Sequence, residues 1–129
     1  MPVVKSKYRG TKEYSLIYVE LITAARYRGT VTYQEIARII GLPITGGFMA
    51  GELGQLLGEI SEDEVTAGRP MLSAIAVGVN GSLGKGFFTL ARQLGRVQDE
   101  NDQAFWEKEH KLVYDTWKTV LKKKSEAIK

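Results

Sequence analysis

The sequence predicts a single, mostly helical α+β domain, and three observations carry that prediction. Apolar residues recur at helical spacing in two long stretches, Tyr14 to Ala25 and Trp106 to Val120. Between them Thr32 and Glu35 stand at the spacing of a capping box, just ahead of the apolar positions Ile36, Ala37, Ile39 and Ile40. Only Met71 to Val79 has strand length and β-branched content, and the Asn80-Gly81 pair behind it is a strong turn signal. The architecture these imply is a helical body, a small two-stranded element near 71–87 and a C-terminal helix docked on the same domain.

Taken in order, residues 1–12 read as a flexible basic N-terminus, with Lys5, Lys7, Arg9 and Lys12 and no acid. A first helix should begin at Thr11 or Glu13 and reach about Arg28. Its stripe is Tyr14, Ile17, Tyr18, Leu21 and Ala25, which needs a partner surface. Gly29 ends it, and Thr30-Val31 is long enough only for a bridge or a two-residue strand. The capped helix follows over roughly 33–40; Gly41 can take the left-handed conformation that stops a helix, and Pro43 cannot continue one. A short capped helix after a longer one is the start of a helix-turn-helix unit.

Ile44-Thr45-Gly46-Gly47 reads as a flexible turn before a third helix, Phe48 to Ile60, with Met49, Leu53, Leu56, Leu57 and Ile60 inward. Gly51, Gly54 and Gly58 each cost about 1 kcal/mol relative to Ala in a helix interior, which points to close helix packing. Ser61 to Glu64 should open another short turn that Gly68 closes. After the Asn80-Gly81 turn, 82–86 is loop or a brief return strand, and Phe87 or Phe88 starts a helix to about Leu94. Residues 96–101 form a polar linker, and Asp102 caps a last helix to about Lys124. Its inner face is Trp106, His110, Val113, Trp117 and Val120.

Composition removes several function classes. With no cysteine, a disulfide framework, a thiol nucleophile and a cysteine-ligated metal are excluded; the single His110 excludes a multi-histidine metal site. The start of the chain lacks a signal core, and no apolar run approaches the roughly 20 residues of a membrane span, so the expected location is cytoplasmic with no membrane partner. Net charge is only +3, but its distribution is uneven. Residues 30–68 hold Arg38 against Glu35, Glu52, Glu59, Glu62, Asp63 and Glu64, while Lys118, Lys122, Lys123, Lys124 and Lys129 make the C-terminus basic. Basic ends around an acidic middle form either an electrostatic footprint for nucleic acid or ordinary solvated ends.

No constellation of catalytic residues stands out, and the chain reads as a non-enzyme without metal or cofactor. His110 lies on an apolar stripe between two tryptophans and reads as structural. Glu62, Asp63 and Glu64 match no calcium loop and read as a helix end. Gly81-Ser82-Leu83-Gly84-Lys85-Gly86 lacks the spacing of a P-loop, yet its backbone N–H groups and Lys85 suit a nucleic-acid phosphate. Arg26, Arg28 and Arg38 flank the capped helix, and Tyr33 and Gln34 sit at its start, where helix N-termini meet phosphates. The expected nucleic-acid-binding set is therefore Arg26, Arg28, Tyr33, Gln34, Arg38, Asn80, Ser82 and Lys85, with duplex DNA as the partner. The alternative is a protein-interaction or adaptor module that uses the acids of the third helix.

These residues carry a resemblance. The first helix, Gly29 to Ala37 and Gly41-Leu42-Pro43 resemble the winged-helix DNA-binding domain of O6-alkylguanine-DNA alkyltransferases and alkyltransferase-like proteins. Leu53-Gly54-Gln55-Leu56-Leu57-Gly58 is similar to the helix of that domain that enters the DNA minor groove, and Val77 to Gly84 resembles the turn after its active-site strand. The resemblance covers roughly 14–87 and implies a winged-helix-like domain over 13–95, with 96–129 a linker and helix packed on it. The chain departs from the family where chemistry is concerned. The Pro-Cys-His-Arg motif falls on Leu72-Ser73-Ala74-Ile75, so Ser73 replaces the alkyl-accepting cysteine, no histidine follows, and transfer to a thiol is excluded. Gly51 stands where the arginine that replaces a flipped base belongs, and the helix offers Glu52, Gln55 and Glu59. Acids facing phosphates repel, which moves the expected DNA contact to the arginines. A second resemblance, carried by Gly68 to Ala74, Gly84 to Phe88, Phe105-Trp106-Glu107 and Tyr114 to Trp117, is to a group of uncharacterised bacterial proteins. It implies a shared fold and no activity.

Overall fold

A computed structural model describes residues 2–43 and 46–128, without the side chains of Lys85 and of residues 119–128. Five helices and one pair of short strands make up the described chain, an α+β arrangement dominated by helix. Helix α1 spans Lys12–Arg26, with Thr11 as its N-cap accepting from the Tyr14 N–H. Strand β1 is Val31–Thr32 and α2 is Tyr33–Ile40. The capping box is formed: the Glu35 N–H donates to Thr32 Oγ1 at 3.1 Å, and the Thr32 N–H donates back to the Glu35 carboxylate at 3.3 Å. Gly41 ends α2 at φ 78°.

Helix α3 is Gly46–Thr66, longer than the Phe48–Ile60 expected. Gly46 and Gly47 belong to it, while Ile44 and Thr45 lie outside the described residues. The turn expected at Ser61–Glu64 is instead helix. Four adjacent polar residues read as surface, but Ser61, Glu62 and Glu64 are buried against partners brought by distant parts of the chain. The close packing expected of the three interior glycines is not found: a Cβ at Gly58 would make ordinary contact with Val4 and Leu90 at 3.6–3.8 Å, and Gly51 and Gly54 border open space.

The expected strand over 71–79 is also different. Leu72–Ile75 is a short 3-10 helix, and only Ala76–Val77 is strand, β2. A fully buried apolar run cannot be assigned to strand or helix by periodicity, and Met71 to Ala76 is buried throughout. Nor is there a hairpin. β2 pairs in parallel with β1, Val31 against Ala76 and Thr32 against Val77, so the partner of 71–87 comes from 45 residues away. The Asn80-Gly81 turn does form, with the Gly78 N–H donating to the Ser82 carbonyl at 2.8 Å and Gly81 at φ 82°. It leads into α4, Lys85–Gln93, rather than a return strand.

Helix α5, Asp102–Ile128, docks across the buried 71–75 segment. Glu109, 0% exposed, accepts the Met71 N–H at 2.9 Å and Arg96 Nε and Nη2 at 2.9 and 2.8 Å. Trp106 Nε1 donates to the Ala74 carbonyl at 2.9 Å. The cap is Asn101, whose carboxamide oxygen accepts the Ala104 N–H; Asp102 instead pairs with Arg92. His110 stacks on Trp106 at 4.6 Å, with Nδ1 against the Trp106 and Glu107 carbonyls. Val120, Lys122, Lys123 and Lys124 have no described side chains, and Lys129 lies outside the described residues. Ile17, Leu21, Ile36, Leu56, Ile60, Leu72, Ile75 and Phe105 close the common core.

Candidate nucleic-acid interface

The corner where α1 ends and α2 begins is built by local rules. After Arg26 the Gly29 N–H donates to the Ala24 carbonyl at 2.8 Å, closing the helix. That geometry places Arg28 at φ 55°, the sole non-glycine residue with positive φ among the described residues. A left-handed residue with a Cβ is strained. Arg26 and Arg28 are exposed, and Arg26 lies over the Tyr27 ring, itself 75% exposed. Tyr114 of α5 supports the corner by donating to the Gly29 carbonyl at 2.8 Å.

The parallel pairing of β1 with β2 sets the 78–84 turn beside the start of α2. Tyr33 ties the two together: its hydroxyl accepts the Gly84 N–H at 3.1 Å. Of the eight expected residues, the structure thus brings Tyr33 to the loop of Asn80 and Ser82. Asn80 and Ser82 are engaged with each other, the Asn80 oxygen accepting both the Ser82 N–H and its hydroxyl. Gln34 departs from expectation, because its side-chain oxygen is buried with no partner and does not face outward. Arg38 is exposed in the second turn of α2, and no described contact joins it to the loop. Lys85 is the first residue of α4, and its side chain is not described.

The arginines divide cleanly. Arg9, Arg69, Arg92 and Arg96 form ion pairs with carboxylates. Among the described residues Arg26, Arg28 and Arg38 form none; Arg26 and Arg28 stand just ahead of β1 and α2, and Arg38 lies within α2.

The acids of α3 do not form an open surface. The N-terminal segment expected to be flexible lies along them as a strap. Glu59, 0% exposed, accepts the backbone N–H groups of Lys7, Tyr8 and Arg9 at 3.1, 2.9 and 2.7 Å, and Gln55 Nε2 at 2.8 Å. Glu62 accepts those of Val3 and Val4 at 2.6 and 3.2 Å. Arg9 bridges Glu62 and Asp63, and Lys7 and Tyr8 both bind Glu52. Burial alone would raise the Glu59 and Glu62 carboxyls, but these donors hold both below the usual carboxylate range. The Tyr8 hydroxyl is pushed up to about 12 by burial and by its bond to Glu52. Glu64 takes the Tyr18 hydroxyl and Arg69. Sequence reasoning missed this arrangement. Its signal was an acid-free basic segment and carboxylates at i, i+3 and i+4, which are complementary once placed side by side.

Beneath the strap, between α3 and α4, lies a cavity of about 490 Å³ that reaches Tyr33 and the Gly84 backbone. Ser73 opens onto it. Ser61 Oγ donates to Ser73 Oγ at 2.7 Å and accepts the Ser73 N–H at 3.1 Å, and no histidine or carboxylate is among its described partners. Among the described residues no group of three or more histidines and carboxylates is placed to hold a metal ion, and no helix is long and apolar enough to cross a membrane. No family model, no curated protein and no solved structure matches the chain.

Proposed function

We propose that the chain is a non-enzymatic, cytoplasmic DNA-binding protein of winged-helix type, and that duplex DNA meets the α1–α2 corner. Arg26, Arg28 and Arg38 supply phosphate contacts, Tyr33 and the Asn80–Ser82 turn form the adjoining edge, and Lys85 enters by its place at the start of α4. One observation carries the reading: four arginines are neutralised by carboxylates, and among the described residues the three without one are Arg26 and Arg28 ahead of α2 and Arg38 within it. Arg28 adds to it, since backbone strain at an exposed charged residue accords with a contact role. The adaptor reading has no comparable support, because the acids on which it rests are occupied by the chain's own strap.

The test is fluorescence anisotropy with a labelled random-sequence duplex at low and near-physiological salt. Each neutralised phosphate contributes about 0.9 to the slope of log affinity against log salt. Reversing Arg28 and Arg38 together to Glu should weaken binding and flatten that slope by roughly two units. No binding by the unaltered protein at low salt, or an unchanged slope in the double reversal, refutes the proposal.

A further inference from the structure

The cavity under the strap has a chemistry of its own. Its wall is mainly Met49, Leu53, Leu57, Phe87 and Leu90, with Val4 of the strap. No charged side chain lines it among the described residues. A carboxylate or phosphate placed there would lose its water with no counter-charge among the described side chains of the wall, which disfavours it. Gln55 also borders the space; its amide nitrogen is committed to the Lys5 carbonyl and to Glu59, while its oxygen has no described partner. Two hydroxyls remain. Ser73 accepts from Ser61 and Tyr33 accepts from the Gly84 N–H, and neither hydroxyl proton has a described acceptor. Each hydroxyl thus offers an occupant a free proton on an apolar wall. The volume falls within the range of small-molecule sites, roughly 300–1,000 Å³, and is about three times that of an apolar cavity that takes benzene.

We propose that this cavity is a binding site for a small neutral carbonyl compound, an aliphatic or aromatic ketone or ester, whose oxygen accepts from Ser73 while its hydrocarbon part fills the space between α3 and α4. A nucleobase suits it poorly, because a base presents several donors and acceptors, and donors on the ligand would find few partners here. The inference stands apart from DNA binding and needs none of the three free arginines.

The probes are 2-nonanone and nonanoate, similar in chain length and opposite in charge state at pH 7, followed by methyl and aromatic NMR shifts. 2-Nonanone should saturate with shifts centred on Met49, Leu57 and Phe87, and nonanoate should bind at least tenfold more weakly. Ser73→Ala should weaken 2-nonanone by roughly three- to tenfold, the range of one modest hydrogen bond. A Cβ at Gly54 or Gly86, both on the wall, meets nothing within 4 Å, so Gly54→Leu and Gly86→Leu should each obstruct the site and abolish saturation. Nonanoate binding as tightly as the ketone overturns the proposal, as does saturation by free nucleosides in place of it. So does undiminished affinity in both leucine variants with the fold intact by circular dichroism. If those variants do not fold, the unaltered protein decides: shifts centred away from the cavity, or none, refute the assignment.

Discussion

Glu59→Gln tests the strap most sharply. The variant keeps the shape of the side chain but removes its charge and turns one acceptor oxygen into a donor. In the native protein the carboxylate is 0% exposed and receives four donors, the Lys7, Tyr8 and Arg9 amides and the Gln55 side chain. Hydrogen bonds to a charged group contribute about 1.5–3 kcal/mol each, and removing a partner leaves buried donors unmet. Gln retains one good acceptor, so the net loss should be about 2–4 kcal/mol rather than the sum. At about 2.1 cal/mol/K per residue over 129 residues, that lowers the melting midpoint by roughly 7–15 °C. Amide exchange at Lys7, Tyr8 and Arg9 should accelerate in the variant. Acid supplies a second readout. Because the folded Glu59 and Glu62 carboxyls lie below their unfolded values, their contribution is complete above about pH 4.5 and is lost as pH falls through the folded values. The unaltered protein should therefore lose its advantage over Glu59→Gln as pH falls. A midpoint within about 0.5 kcal/mol of native at neutral pH, with exchange of the three amides unaltered, refutes the reasoning.

Three further outcomes follow from the same geometry. Thr32→Ala should cost about 1 kcal/mol in urea denaturation, because the Glu35 N–H loses its cap; an unchanged midpoint means that Thr32 caps nothing. Arg28→Gly should raise stability by about 0.5–1 kcal/mol by relieving the positive φ, yet weaken duplex binding; a fall in stability removes the strain argument. At high pH the sign reverses from the acid case. Burial and carboxylate partners push the Tyr8 and Tyr18 hydroxyls up to about 12 from 10, so their contribution is intact below pH 10 and is lost as pH rises towards 12. Tyrosinate absorbance followed with circular dichroism checks it, and two normal titrations near pH 10 contradict it.

What the sequence made legible was whatever local rules decide. The Thr32–Glu35 box, the Gly41 stop, the Tyr14–Ala25 stripe and the docked last helix all depend on residues three or four apart, and the structure has each of them. What escaped depends on partners distant in sequence. Ser61 to Glu64 reads as a polar turn until Val3, Val4, Arg9, Tyr14 and Tyr18 are known to face it. Met71 to Val79 reads as a hairpin strand until burial on all sides and the pairing of Ala76 with Val31 are known. In the candidate interface, the exposure of Arg26, Arg28 and Arg38 agrees with expectation, whereas the Gln34 oxygen turned inward because the first turn of α2 is half-buried. The cavity was invisible from sequence, since Val4, Ser73 and Leu90 share no pattern in the chain.

The strap also changes how the charge of the protein should be read. In the sequence, basic ends around an acidic middle read as an electrostatic footprint for nucleic acid or as ordinary solvated ends. In the fold, the basic N-terminal segment and the acidic middle meet and neutralise one another, with Lys7, Arg9 and five backbone N–H groups set against Glu52, Glu59, Glu62 and Asp63. Charge satisfied in this way projects little field into solvent. Charge without a partner projects more, and among the arginines it lies at Arg26, Arg28 and Arg38. A strap-weakened Glu59→Gln protein would expose Glu52, Glu62 and Asp63 and free Lys7 and Arg9 at once. Its duplex affinity would then change through the tail and not through the corner. Comparing the salt slope of Glu59→Gln with that of the Arg28/Arg38 reversal therefore separates a basic arm from a fixed basic corner: a shallower slope in the reversal is what the corner model requires, and a slope that changes only in Glu59→Gln assigns the contact to the arm.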